Sequence, residues 1–311
     1  MNPLTQAVGA ALLHLLWQAT AIAVVLALVL ARMARRSPNA RYVVSCAALA
    51  LVVAAFVATA VGAYEAAPAA SAGPSGTAAA VLVLPVVDAA TVTADALQVW
   101  SARWQRALPA VVALWLAGVA LLAARLLVSW SRVRLLVRGG VTPKKPEWEA
   151  AAARLTEALG IRGAVRLLQS GAVEVPGVIG ALRPVILLPA SALTGLSPDE
   201  IEMLIAHELA HVRRHDYLVN LLQCVVETLF FFHPAVWWIS HRVRVEREHC
   251  CDDLAVAVCG SPVRYARALT RLEELRSALP LVAAAGGGSL LGRIRRLAGQ
   301  GAETRGQGAP W

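Results

Sequence analysis

Three long apolar runs constrain the fold of this chain more than any other feature of its sequence. They cover residues 4–31, 42–63 and 107–130, and each reaches the ~20 residues that a helix needs to cross a bilayer. The composition agrees, because 58% of the residues are hydrophobic and only 16% are charged, more apolar than a typical soluble domain. The sequence therefore predicts an α-helical membrane protein with three N-terminal transmembrane helices.

Basic residues predict how these helices are oriented. Four arginines, Arg32, Arg35, Arg36 and Arg41, fill the short connection between the first two runs, and the positive-inside rule places such a connection in the cytoplasm. More basic residues follow the third run, so everything after Ser131 is also predicted to be cytoplasmic. The net charge of +9 is thus interpreted as anchoring beside a bacterial cell membrane, with no direct binding of nucleic acid.

The predicted organisation has five parts. Residues 1–63 form two transmembrane helices, 64–106 an extracytoplasmic flexible loop rich in Ala, Pro, Gly and Ser, 107–131 the third span, 132–298 a cytoplasmic domain, and 299–311 a disordered tail. The segment 217–239 is apolar but includes residues such as Glu227 and His233, which are costly in lipid. We interpret it as a buried or membrane-apposed helix, with a fourth span as the alternative.

The cytoplasmic part has the pattern of an α+β domain. An amphipathic helix is predicted over residues 147–159, ended by Gly160, and short β-rich runs follow at residues 165–169, 173–179 and 185–188. The last run is either an edge strand that could pair with an extended substrate or an interior strand of the core.

A helix with a well-defined start follows these strands. Ser197 suits the N-cap, Pro198 the first helical position, and Glu200 completes a capping box, so the helix should run to about Arg214. It carries His207 and His211, which are four residues apart and therefore share one face. Together with Glu208 they form an HExxH pattern, typical of zinc peptidases.

This pattern has a direct chemical interpretation. Two neutral imidazoles and a carboxylate leave a fourth zinc position for water and lower the pKa of that water to about 7, and Glu208 would act as general base. A third histidine six residues after the motif would indicate a metzincin, but that position is Tyr217. The third ligand must come from elsewhere.

The segment 246–253 offers carboxylates for that role. Glu248 and Asp252 share a helical face, whereas Glu246 points away from Glu248. One carboxylate could bind zinc while the other orients a histidine, and Asp252 is a reasonable partner for His207 or His211. The five cysteines, an odd number without CxxC spacing, indicate neither a disulfide framework nor a cysteine-only metal site.

Five motifs follow one another along the chain, at residues 176–180, 183–189, 207–216, 232–234 and 248–252. In this order they resemble the BlaR/MecR family of membrane metallopeptidases. The resemblance implies an α+β gluzincin-like zinc metallopeptidase domain with one Zn²⁺ per chain and Glu248 as the third zinc ligand. It also implies a signal-transducing protease that cleaves a cytoplasmic transcriptional repressor, and it leaves a homodimer open.

The chain also departs from the antibiotic sensors of that family. Those sensors add a penicillin-binding domain with a Ser-x-x-Lys nucleophile, whereas the only lysines here, Lys144 and Lys145, do not follow such a serine. Direct acylation by a β-lactam is therefore not expected.

Two other functions remain as alternatives. One is a membrane-protein quality-control metalloprotease, and the other is a non-catalytic, zinc-stabilised signal transducer, against which Glu208 argues because a structural zinc site needs no general base. His215 is expected to pack behind the site rather than to bind the metal, because three protein ligands are already proposed. Four side chains, left unranked, could stabilise an oxyanion: Tyr217, His249, Arg264 and Tyr265.

Overall fold

The computed structural model describes residues 2–71, 89–143, 146–180, 183–277 and 287–303. These residues form helices and one small sheet, and the chain divides into two compact units. The first unit comprises Met1–Arg35, Val44–Ala124 and Val226–Ser240, and the second comprises Arg36–Val43, Arg125–Val225 and His241–Trp311.

Three N-terminal helices account for the three apolar runs. They are α1 (Pro3–Arg32), α2 (Pro38–Ser71) and α3 (Ala89–Gly139). Within the described residues, Pro3–Arg32, Pro38–Ala66 and Arg106–Gly139 are long and apolar enough to cross a membrane. The prediction of three spans is confirmed.

The helices also extend into the segment 64–106, which was predicted to be a flexible loop. Helix α2 continues to Ser71 and α3 already begins at Ala89, whereas residues 72–88 lie outside the described residues. The many alanines beside these spans favour helix, since alanine has the highest helix propensity. In the same way α10 reaches Glu303, inside the predicted tail, and residues 304–311 are not described.

The second unit contains the sheet and most of the shorter helices. Its strands are β1 (Arg166–Ser170), β2 (Gly177–Ile179) and β3 (Val185–Pro189), in the order β1-β3-β2. Strand β3 pairs parallel with β1 and antiparallel with β2, and all five of its residues are buried. The edge-strand alternative for residues 185–188 is therefore wrong, because both backbone edges of this strand already have a neighbour.

Six helices precede or follow these strands in the sequence, and α6 contributes side chains to the centre of the core. They are α4 (Pro146–Ala158), α5 (Ala190–Gly195), α6 (Pro198–Arg213), α7 (Asp216–Leu229), α9 (Pro262–Ser277) and α10 (Gly287–Glu303). The α6 side chains Ile201, Ile205 and Leu209 are at most 1% exposed and belong to a core that includes Ile186 of β3. The predicted capping box is present at Ser197 and Glu200. This packing fixes the helix that carries the histidine pair.

The segment 217–239 is two helices rather than one. Helix α7 ends at Leu229, and α8 (Pro234–Cys259) begins after a short turn. Pro234 explains the break, because a proline is tolerated at the start of a helix but not in its interior. Neither helix is among the candidate spans of the described chain, so the structure does not support the fourth-span alternative.

Candidate metal centre

Helix α6 places two imidazoles on one face. The ring centroids of His207 and His211 are 4.9 Å apart, as expected one helical turn apart. Helix α8 supplies Glu248, whose Oε2 is 3.5 Å from Nε2 of His207 and whose Oε1 is 3.9 Å from Nε2 of His211. One ligand atom from each of the three residues lies within 4.8 Å of the others. Two imidazole nitrogens and one carboxylate form a donor set that suits zinc and leaves a fourth position open.

The far side of His207 is held by a buried hydrogen-bond chain. Its Nδ1 lies 2.8 Å from the hydroxyl of Tyr265, which donates to Oδ1 of Asp252 at 2.8 Å. Because the hydroxyl proton goes to the carboxylate, the hydroxyl accepts from Nδ1–H of His207. In the neutral ring, the form that binds a metal, a proton held on Nδ1 leaves the lone pair of Nε2 for the ion.

Arg293 completes the group behind His207. Its Nε and Nη2 donate to the two oxygens of Asp252 at 2.9 and 2.5 Å, and its Nη1 is 3.5 Å from Glu248. Burial opposes the ionisation of Asp252, but its bonds with His207 and Arg293 outweigh burial and hold the pKa of this carboxyl below its ordinary value. Asp252 thus lies as an anion behind His207, one of the two positions predicted for it.

A different carboxylate lies behind His211. Oδ2 of Asp216, the first residue of α7, is 2.8 Å from Nδ1 of His211. The thiol of Cys251 is 3.2 Å from the same Nδ1 and donates to Asp216 at 3.3 Å. Each histidine therefore has a carboxylate behind it, an arrangement that fixes imidazole orientation in metal sites.

Sequence reasoning missed Asp216 and Arg293 as site residues. Asp216 follows His211 by five residues across a turn in which His215 has a φ of 56°, so no helical spacing pointed to it. Arg293 lies 41 residues from Asp252 in a segment without a motif. The composition of the Arg-rich segment around it was the only signal, and it is not specific.

A second group of side chains is also close enough together to bind a metal ion. His211, Asp216 and Cys251 also have ligand atoms within 4.8 Å of one another. Burial, followed by the charges of Asp216 and Glu248, raises the pKa of the Cys251 thiol well above its ordinary value, whereas a metal needs the thiolate. The donor set of His207, His211 and Glu248 therefore fits a zinc ion better.

The charge states of the cluster follow from its packing. Burial lowers the pKa of His207, but hydrogen bonds with Asp252 and Glu248 raise it overall to about 9. Burial acts against ionisation of Glu248, yet its hydrogen bond with His207 and the neighbouring positive charges lower its pKa to about 2. Burial raises the pKa of Glu208 above its ordinary value, although both histidines oppose the shift. A raised pKa brings a carboxylate closer to the range of an effective general base.

These residues open onto one cleft of about 360 Å³. Its lining includes His207, Glu208, His211 and Glu248, together with Gly177 and Val178 of β2 and with Tyr217, Asn220 and Arg293. The volume is within the range of small-molecule and cofactor sites. Glu208 is thus in the same cleft as the cluster.

Among the four oxyanion candidates, Tyr217 alone belongs to the described lining of this cleft. Tyr265 lies behind His207, and Arg264 pairs with Asp199. The Nδ1 of His249 lies 3.5 Å from Glu246. Glu246 itself, which was predicted to point away from Glu248, binds Arg41 and Arg242.

Comparison with known proteins identifies the family of this chain. The family described as "BlaR1 peptidase M56" matches residues 12–297. The "Regulatory protein BlaR1" of Bacillus licheniformis is 29% identical over 143 residues, which are 46% of this chain and 24% of that protein. The "Methicillin resistance mecR1 protein" of Staphylococcus aureus is 28% identical over 115 residues, which are 36% of this chain and 20% of that protein.

The matched part therefore spans about a quarter or less of the length of these curated relatives. The family match, in contrast, covers most of this chain, including most of α1, all of α2 and α3, and the helices α6 and α8 that carry the candidate ligands. A bacterial membrane protein related to regulatory signal transducers is consistent with both comparisons. The chain belongs to the BlaR1-type M56 peptidase family.

Proposed function

We propose that this protein is a membrane-bound zinc metalloendopeptidase whose cytoplasmic domain cleaves a transcriptional repressor. The observation that carries the proposal is the cluster of His207, His211 and Glu248 in one cleft with Glu208. A cluster of buried ionisable groups is costly unless a metal or partners compensate for it. Regulatory relatives favour a signalling role over general proteolysis.

In this proposal His207, His211 and Glu248 hold the zinc ion. Zinc would supply Lewis acidity, which favours deprotonation of water and stabilises negative charge that develops on a carbonyl oxygen. Glu208 takes the proton from the attacking water and can return it to the leaving amine, a role that its raised pKa favours. Tyr217 lines the same cleft and is the candidate donor to the oxyanion.

Strand β2 offers a way to bind a protein substrate. It pairs with β3 on one side, and its residues Gly177 and Val178 line the cleft. An extended segment can add to such an edge strand through backbone hydrogen bonds, which demand little of the sequence. We place the cleaved segment of the substrate along β2, rather than along residues 185–188.

The orientation of the domain rests on charge. The connection between α1 and α2 and the end of α3 carry most of the arginines beside the spans, and the positive-inside rule puts both in the cytoplasm. A cytoplasmic cleft can reach a repressor directly.

Sequencing of protein N-termini in cells tests the proposal. Cells that express wild type are compared with cells that express Glu208→Gln, which keeps the three proposed ligands. New N-termini in a DNA-binding protein, present with wild type only, would support it. New N-termini spread over misfolded membrane proteins would favour the quality-control alternative. If both strains give the same N-termini while the purified proteins hold zinc, a non-catalytic transducer takes its place.

A further inference from the structure

The turn between α7 and α8 lies among the transmembrane helices of the first unit. Residues Val226–Ser240 belong to this unit together with α1, most of α2 and part of α3. Phe230, Val236 and Ile239 are at most 1% exposed and share a core with side chains of α1 and α2: Leu15, Ala19, Leu26, Leu30, Leu49 and Val52. We call residues 226–240 the tip.

Two hydrogen bonds give the depth of the tip relative to the spans. Nε2 of His233 lies 3.2 Å from the carbonyl oxygen of Leu16, close to the middle of α1. The indole of Trp115 donates to the carbonyl of Leu229 at 2.7 Å, and Trp115 lies midway between Arg106 and Arg125 in α3. Both contacts are thus made near the centre of an apolar span.

Close packing accompanies these bonds. Phe231 lies over Gly118 of α3, where an added Cβ would clash with the ring. The rings of Phe230 and Phe56 of α2 meet edge to face at 5.1 Å. A side chain larger than hydrogen at position 118 would push the ring of Phe231 away, so the contact is specific.

Four polar side chains of the tip, those of Glu227, His233, Trp237 and Ser240, have partners within the protein. Nδ1 of His233 accepts a hydrogen bond from the backbone N–H of Ala235 at 3.1 Å, and the indole of Trp237 donates to the carbonyl of Phe231 at 2.8 Å. Ser240 donates to Glu227. In lipid such groups must find partners inside the protein, so the polar residues of this segment do not prevent burial in a membrane.

The opposite surface of the same segment is apolar and exposed. Phe232, Trp237 and Trp238 are 38%, 45% and 38% exposed. Helix α7 continues this character, since its exposed residues Leu218, Leu221, Leu222 and Val225 recur at the spacing of one helical face. The outward sides of the spans are exposed in the same way. Because the tip contacts the centres of these spans, hydrocarbon is the medium that would cover it.

The two ends of the segment give its path. Arg213 and Arg214 come just before α7, and Arg242 and Arg244 follow the tip in α8. Such basic flanks are expected on one and the same side of the membrane. Helix α7 has 14 residues, too short for the ~20 that cross a bilayer.

From these observations we infer that residues 226–240 form the turn, near mid-depth in the membrane, of a re-entrant helical hairpin whose arms are α7 and the first part of α8 and which leaves the membrane on the side from which it came. Phe232, Trp237 and Trp238 then contact lipid acyl chains. Helix α8 is continuous from Pro234 to Cys259, so one helix joins this membrane-embedded turn to Glu248. The inference does not depend on whether the protein is a protease.

Photolabelling from lipid tests the hairpin. The full-length protein is reconstituted in bilayers that contain phosphatidylcholine with a diazirine at the middle of one acyl chain, and adducts are located by mass spectrometry. We expect adducts on the tip at a yield within about threefold of those on α1 and α3. Val263, which is 48% exposed beside Ser261 and Arg264, should stay unlabelled. Labelling of the tip only by a headgroup diazirine would overturn the inference.

A pair of glycine variants makes the test specific. Gly118→Val should displace Phe231 and change the tip adducts at least threefold relative to those on α1 in the same sample. Gly62→Val in α2 is the matched control, since an added Cβ there meets nothing within 4 Å, and it should leave the pattern unchanged. An unchanged tip pattern in Gly118→Val, with wild-type adducts on α1, would contradict the packing on which the hairpin rests.

Discussion

The two histidines of the cluster face the same carboxylate but are held from behind in different ways. His207 rests on Asp252 and Tyr265, both fully buried, and Arg293 binds Asp252 with two hydrogen bonds. His211 rests on Asp216, whose other oxygen lies 3.6 Å from Nε of Arg214. The support of His207 comes from three later helices, whereas that of His211 comes from the next turn of the chain. One imidazole is thus positioned by tertiary packing and the other mainly by local structure.

Removal of the group that both histidines share should have the largest effect. Glu248→Ala deletes one of three proposed ligands, so we expect zinc affinity to fall by more than the ~10–100-fold typical of residues behind a ligand. Competition with a chromophoric chelator measures this affinity. Glu246→Ala, on the other side of α8, is the control and should retain zinc. Equal zinc affinity in Glu248→Ala and wild type would remove Glu248 from the site.

Acidity should affect zinc binding through His207. The pKa of this residue is raised to about 9, so the metal-free protein carries a proton there at neutral pH, and that proton must leave before the ring can bind a metal. Zinc affinity is therefore expected to rise about tenfold per pH unit from pH 7 to pH 9 and then to level off. A chelator titration at several pH values gives the slope. A flat profile across this range would show that His207 is already neutral.

Loss of the support behind His207 should affect stability as well as metal binding. Asp252→Ala leaves the guanidinium of Arg293 buried without its carboxylate, and such a loss costs about 3–5 kcal/mol. Zinc affinity should also fall by about 10–100-fold. Thermal and denaturant unfolding of the metal-free protein in detergent measure the first effect. The neighbouring Asp253, which is 36% exposed in its pair with Arg296, provides the control Asp253→Ala, with a change of about 1 kcal/mol or less.

Removal of the carboxylate behind His211 tests whether the two histidines are supported differently. Asp216→Ala should lower zinc affinity by a similar factor of about 10–100, but its stability cost should be smaller, about 1–3 kcal/mol, because the contact between Asp216 and Arg214 is looser. The same unfolding and chelator assays apply. If the two variants lost equal stability, the contrast between tertiary and local support would not hold.

The sequence predicts the local structure of α6 better than it predicts the tertiary contacts behind His207. The start of α6 and the shared face of its histidines follow from local rules, namely a capping box and helical periodicity, and both are present. The three spans follow equally from length and composition. Asp252 was expected near a histidine, but the spacing left open which one. Arg293 depends on where α10 packs, and no local pattern encodes that position.

The strand order and the environment of the tip also depend on partners that are distant in sequence. The run at residues 185–188 was correctly predicted to be a strand, yet its central place in the sheet depends on the partners β1 and β2. The polar residues in 217–239 made burial in lipid look unfavourable from the sequence. Their hydrogen-bond partners could not be predicted, because a partner such as the carbonyl of Leu16 for His233 lies far away in sequence. The sequence shows which polar side chains are costly in lipid. It does not show the hydrogen bonds to distant residues that offset this cost.

X-ray absorption spectroscopy at the zinc edge tests the central claim most directly. For the purified, zinc-loaded protein we predict nitrogen and oxygen neighbours at about 2.0–2.1 Å, with an imidazole contribution from two histidines and no sulfur. A sulfur neighbour at about 2.3 Å would contradict the account, because it would place the metal at His211, Asp216 and Cys251 instead of at His207, His211 and Glu248.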